Sequence, residues 1–181
     1  MNLLLFPGAG SSSNHGSLLA IEAAVSPMHC TRADFPYRKA GRKAPDRTPV
    51  LLQAVRDVAA PLLSDGLILG GRSMGGRMCS MVVADVDDPL PALGLVLISY
   101  PLHPPGKPDS LRVEHLPRLS VPCLFIHGSR DPFGSPAELK QWTATIPGAV
   151  TTHWIEGRGH DLRGCDAIVA EMVAKWISAL G

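Results

Sequence analysis

The chain has little aromatic material: phenylalanine, tryptophan and tyrosine make up 5% of its 181 residues. Aliphatic side chains must therefore fill the core, and hydrophobic residues reach 45%. A dominant charge is missing too, with 17 basic against 16 acidic residues and a formal net charge of +1. That balance supplies no field for holding nucleic acid or an anionic membrane. None of the four cysteines, Cys30, Cys79, Cys123 and Cys165, stands in a C-x-x-C pair, so zinc and redox-motif readings lack support. Cys79 and Cys123 fall inside apolar runs and read as small core residues, with reduced thiols in the cytoplasm as the expectation. No apolar stretch approaches the length that spans a bilayer. The opening Met1–Pro7 is apolar, but it is too short for a signal-peptide core and has no basic leader, which again points to the cytoplasm. Repeats, low-complexity tails and linkers are also absent, and the length fits one domain.

What is present is an alternation of short apolar runs and helical patterns. Leu3–Phe6, Met28–Phe35, Gly66–Gly70, Leu95–Ile98, Pro122–Ile126 and Val150–Ile155 read as strands, the second weaker and mixed. Leu18–Val25, a long helix begun by Thr48 as cap and Pro49, Met74–Val86, Pro136–Ile146 and Ala167–Leu180 read as helices. Residues 36–47 and 101–108 are Pro-rich loops. Strands alternating with helices predict a parallel sheet covered on both faces, and right-handed crossovers make it a three-layer α/β/α sandwich.

Gly71-Arg72-Ser73-Met74-Gly75 matches G-x-S-x-G, with a strand running directly into it and a helix leaving directly after. A nucleophile elbow demands that setting: the serine sits on a strained turn above the sheet, and the close backbones exclude side chains at the flanking glycines. The string by itself also fits a Gly-rich turn with a spare serine.

A serine hydroxyl needs a base. Asp131 follows the strand ending at Ile126, and His160 lies in the Gly-rich loop after the last strand. Both are expected on the rim where Ser73 sits, in the chain order serine, acid, histidine. His160 would take the serine proton, and Asp131 would fix its tautomer. Asp161 adjoins His160 but would have to fold back on its neighbour; His127 reads as supporting a loop, and His153 lies inside the last strand. The oxyanion of the intermediate needs amide donors. Met74, after the nucleophile, is one candidate; Ala9, with Gly10 as second choice, is the other, since Pro7 has no N–H.

F-P-Y at Phe35–Tyr37, G-G-R-S-M-G-G-R at Gly70–Arg77, Y-P-L-H-P-P-G-K-P at Tyr100–Pro108 and G-S-R-D-P-F-G at Gly128–Gly134 together resemble a family of small bacterial α/β hydrolases related to dienelactone hydrolases. The resemblance covers nearly the whole chain. It implies a minimal α/β-hydrolase fold of about six parallel strands and a Ser-His-Asp triad at Ser73, His160 and Asp131. Two departures stand out: the chain starts at the strand bearing the oxyanion loop, and Pro7 occupies a position where many α/β hydrolases place a histidine. The family likeness reaches eukaryotic proteins, including a subunit of a chromatin-modifying complex, so a non-catalytic interaction module stays open as an alternative.

The substrate expectation is a small carboxylic ester in an open site without a lid, with no metal and no cofactor; thioesters and amides share the chemistry. Expected substrate-binding residues are Phe35, Tyr37, Tyr100, Leu102 and Phe133 near strand ends, with Arg72 as an attractor of an anionic acyl group; the basic run Arg38–Lys43 reads first as a solvated loop and second as a further attractor. One further reading is a dinucleotide-binding protein, because Gly8-Ala9-Gly10 follows a strand, opens a helix and precedes Asp34 at the end of the next strand. The third glycine of that fingerprint is missing, with Ser13 in its place.

Overall fold

A computed structural model describes residues 1–180. It contains one six-stranded parallel sheet in the order β2-β1-β3-β4-β5-β6. The strands are β1 (Asn2–Phe6), β2 (His29–Arg32), β3 (Leu67–Arg72), β4 (Gly94–Ile98), β5 (Cys123–Gly128) and β6 (Val150–Ile155). The helices are α1 (Gly16–Ala24), α2 (Pro36–Lys39), α3 (Thr48–Ala59), α4 (Met74–Val83), α5 (Pro136–Thr143) and α6 (Asp166–Ser178). The expected α/β/α sandwich is the architecture found, with six parallel strands.

The four inner strands are buried along their whole length, while β2 and β6 at the edges are only partly covered. Strand side chains alternate between two cores. Leu4, Phe6, Leu69, Leu97 and Phe125 face α3, α4 and α5. Leu3, Leu5, Ile68, Val96, Ile98, Leu124 and Ile126 face α1 and α6, which pack against each other. The expectation of an aliphatic core holds on the α1/α6 side, where no buried aromatic residue appears. It fails on the other side, which holds Phe6, Phe35, Tyr37, Tyr100 and Phe125.

Several boundaries differ from the sequence reading. Thr48 is inside α3, and Arg47 is the capping residue without a side-chain bond. The loop 36–47 begins with the single turn α2, for which Pro36 supplies a preset φ. β2 stops at Arg32 because Asp34 leaves the sheet to bind Ser13 through its backbone N–H and hydroxyl, at 2.7 and 2.9 Å. α4 ends at Val83 rather than Val86 because Asp85 turns the chain, accepting the amides of Asp87 and Asp88. α5 starts on a full capping box between Ser135 and Glu138, directly after the Asp131–Gly134 turn. No helix among the described residues is long and apolar enough to cross a membrane.

Candidate active site

β3 delivers Ser73 to the carboxyl rim of the sheet, and α4 begins at the next residue. Ser73 has φ 47° and ψ −117°, a strained conformation for a residue with a side chain. Local packing enforces it. A Cβ on Gly71 or Gly75 would collide with the carbonyl of Phe6, so β3 and α4 close on β1 only because both flanks are glycine. Its amide donates to Ile98 O at 2.8 Å, tying the turn to β4.

The tertiary fold brings three residues distant in sequence into one chain of hydrogen bonds. His160 Nε2 lies 2.8 Å from Ser73 Oγ. His160 Nδ1 lies 2.8 Å from Asp131 Oδ2 and 3.0 Å from Oδ1. Asp131 is 4% exposed, and its Oδ1 also accepts the Phe133 amide at 2.8 Å, which pins the carboxylate toward the histidine. With Nδ1 donating to that carboxylate, Nε2 is left as the acceptor for the serine proton. Asp161, the adjacent carboxylate, points into solvent and meets Arg163 Nε at 3.6 Å instead. His127 donates from Nε2 to Gly134 O at 3.1 Å and lies 3.3 Å from Asp131 Oδ2. Burial lowers its pKa and keeps it neutral, so this contact is no ion pair; it props the Asp131 turn from below. His153 sits in mid-β6, paired with Ile126.

Ser73 opens into a cavity of about 480 Å³ whose lining includes Ala9, Met74, Arg77, Arg112, Phe133 and His160. The Met74 amide is the first of α4 and has no intrahelical acceptor, and Gly8 stands against Ser73, its Cβ position 3.5 Å from Ser73 Cβ. The loop after β1 is held from outside the cavity: Tyr37 donates its hydroxyl to Ala9 O at 2.7 Å. Because a trans peptide directs N–H opposite to C=O, that bond turns the Gly10 amide away from Tyr37.

Most expected pocket walls are elsewhere. Phe35, Tyr37, Tyr100 and Leu102 are fully buried and do not line the cavity. Phe35 packs on Phe6 with ring centroids 4.7 Å apart. Tyr37 clamps the Ala9 loop as described, Tyr100 donates to Arg112 O at 3.0 Å, and Leu102 underlies the Gly134 turn. Lying near a strand end did not make them accessible, because their side chains turn into the α3/α4/α5 core. Phe133 does line the cavity, stacked on the His160 ring at 3.9 Å and 25°. Arg72 touches the cavity, yet it is 6% exposed and its guanidinium is occupied: Nη2 donates to the carbonyls of His160 and Asp161, each at 3.1 Å. It braces the loop that carries His160. No residue of the basic run 38–43 lines the cavity, and Arg42 pairs with Asp46 at 2.7 Å.

Arg77 and Arg112 were missed in the sequence. Arg77 was within reach of that reading, since residues four apart on a helix share a face and Arg77 follows Ser73 at that spacing. Arg112 had no such signal. The dinucleotide reading has no free acid to work with, since both Asp34 oxygens are bound to Ser13.

A fold with Ser73, His160 and Asp131 so arranged is that of an α/β hydrolase. Accordingly, the chain matches the Alpha/beta hydrolase domain family over residues 1–176 and belongs to it. Solved structures share the fold at low identity. Est1E from Butyrivibrio proteoclasticus is 14% identical with a TM-score of 0.75, covering 99% of this chain and 87% of its own. An alpha-beta serine hydrolase homologue from Coxiella burnetii is 17% identical with a TM-score of 0.75, covering 98% and 85%. A haloalkane dehalogenase from Bradyrhizobium elkani is 14% identical with a TM-score of 0.76, covering 99% and 90%. Different chemistries share this scaffold, so the reaction has to be argued from the site.

Proposed function

We propose that the chain is a serine hydrolase cleaving small carboxylic esters through Ser73, His160 and Asp131. The observation that carries this reading is the continuous hydrogen-bond path from Ser73 Oγ through His160 to the buried Asp131 carboxylate. As Ser73 Oγ attacks the ester carbonyl carbon, its proton passes to His160 Nε2 and the carbonyl oxygen becomes an oxyanion. The amides of Met74 and Ala9, with Gly10 as the alternative to Ala9, are the donors assigned to that oxygen. Asp131 accepts from Nδ1 and stabilises the imidazolium. Collapse breaks the bond to the alcohol, which leaves with the proton from Nε2. Water then repeats the steps on the acyl-serine and releases the acid. No metal or cofactor is required, because nucleophile, base and oxyanion donors all belong to the chain.

The reading takes residues 1–181 as one domain working in the cytoplasm, akin to dienelactone-hydrolase-like enzymes through the G-G-R-S-M-G-G-R segment. Pro45 and Pro101 bring both long loops to the cavity edge, and neither loop is long enough to carry a helical lid. A fluorophosphonate probe followed by p-nitrophenyl esters of rising acyl length tests the proposal. Labelling at Ser73, turnover of short esters and a loss in kcat of about 10⁴-fold in Ser73→Ala are expected. Labelling that survives in Ser73→Ala would remove Ser73 from the role. No labelling and no turnover in the folded wild type would leave a binding module on this fold.

A further inference from the structure

The cavity beside Ser73 carries positive charge that its own walls do not neutralise. Arg77 stands one helical turn after Ser73 on α4, and Arg112 enters from the segment between β4 and β5. Both line the cavity, and no aspartate or glutamate does. Among the described residues, neither guanidinium has a hydrogen-bond acceptor or an ion-pair partner, and Arg77 Nε is buried with none. Arg38, Arg47, Arg130 and Arg158 also have no side-chain partner among the described residues but do not line this cavity, and other arginines are held. Arg32 meets Glu22 at 2.8 Å, Arg56 meets Asp85 at 3.0 Å and Asp88 at 2.9 Å, and Arg72 and Arg118 donate to backbone carbonyls.

No hidden counter-charge lies beneath the pair. His115 Nε2 sits 2.8 Å from Ser80 Oγ and 3.3 Å from Tyr100 Oη. Burial, then the charges of Arg77 and Arg118, push His115 down to about 4, so it is neutral. Burial likewise raises the Tyr100 phenol and keeps it protonated. Arg112 feels burial first and the charge of Arg77 second, both disfavouring its cationic form. Two like charges that are partly desolvated and share one concavity gain from any anion that enters between them. A guanidinium fork matches the two oxygens of a carboxylate or phosphate.

We propose that Arg77 and Arg112 form an anion subsite, and that the substrate is an ester bearing a second group that is a carboxylate or a phosphate. The inference rests on Ser73 being the hydrolytic nucleophile. The subsite draws the charged end of the ester into the cavity and so fixes which end of the molecule lies over Ser73. Arg72, to which the sequence assigned this task, is excluded from it by its bonds to His160 and Asp161 carbonyls.

The test compares mono-p-nitrophenyl glutarate with its methyl ester, two substrates that share a leaving group and differ by one charge. At low ionic strength kcat/KM is expected to favour the anionic ester by about 10- to 100-fold, the range of one or two charge-assisted hydrogen bonds. Arg77→Gln and Arg112→Gln should each lower that ratio, and the double variant should bring it near one; a ratio is insensitive to a general loss of active protein. Glutarate and inorganic phosphate are also titrated calorimetrically into Ser73→Ala, and the stronger of the two identifies the anion. Equal kcat/KM for the two esters, with no arginine-dependent binding of either anion, overturns the subsite while leaving the hydrolase reading standing. Arginine-dependent glutarate binding without ester cleavage or Ser73 labelling has the reverse meaning: the subsite stands and the hydrolase reading falls.

Discussion

The two walls of the Ser73 cavity are built on opposite rules. On one wall His160 and Arg72, with Asp131 buried behind His160, are all held by partners, several of them backbone groups: the Phe133 amide on Asp131, and the His160 and Asp161 carbonyls on Arg72. On the other wall Arg77 and Arg112 face the cavity with none. Under the proposed function, the difference separates two tasks. Proton transfer needs atoms fixed to within fractions of an ångström, and backbone partners provide that rigidity. Ligand capture needs donors left free, at the cost of holding charge without a counter-charge until a ligand supplies it.

The largest effect comes from breaking the held wall at its acid. Asp131→Asn keeps the shape but cannot impose the tautomer, and kcat should fall on the order of 10⁴-fold, whereas Asp161→Asn should stay close to wild type. Steady-state kinetics of the two variants decides it, and the opposite ranking would move the acid to Asp161. Next comes the floor of the unpaired wall. The His115 pKa falls from 6.5 unfolded to about 4 folded, so between those values the unfolded chain binds the proton and the folded chain does not. Its contribution is fully retained above about pH 6.5, and up to about 3 kcal/mol of stability is lost as pH falls towards 4. Denaturant melts of wild type and His115→Gln across that window should show a shallower pH slope in the variant; parallel slopes would mean that His115 is not the titrating group.

Two smaller changes sharpen the comparison. Arg72→Gln loosens the loop bearing His160 without removing a reacting atom. It should lower kcat by up to about 100-fold, as expected from displacing a catalytic group by about 1 Å, with KM little changed. A KM effect at constant kcat would return Arg72 to substrate binding. Tyr37→Phe leaves the part-buried Ala9 carbonyl without its donor and should cost about 1 kcal/mol of stability, together with a modest fall in kcat from a looser loop after β1. Thermal melts and kinetics on one preparation check both, and an unchanged melting temperature would deny the clamp.

The strands were legible because inner strands of a parallel sheet, buried on both faces, read as unbroken apolar runs: Leu3–Phe6, Leu95–Ile98 and Leu124–Ile126. β2 was overextended because an edge strand lacks that signature and Asp34, bonded to Ser13, ends it early. The place of Ser73 was legible because its turn is local: glycines at both flanks, a strand before and a helix after. Asp131 and His160 were legible one step further on, since parallel topology gathers strand ends on one rim.

Sequence by itself therefore determined the layers, the elbow and the three residues that meet across the rim, because periodicity, steric need and topology are properties of segments and their order. Tertiary structure alone decided which rim residues open to the cavity. Phe35, Tyr37, Tyr100 and Leu102 stand near strand ends as expected but turn into the α3/α4/α5 core, and Arg72 turns onto the His160 loop. Only the folded chain joins Arg77 to Arg112, because their shared cavity is made where α4 and the segment after β4 converge, and no pattern within either segment records the charge of the other.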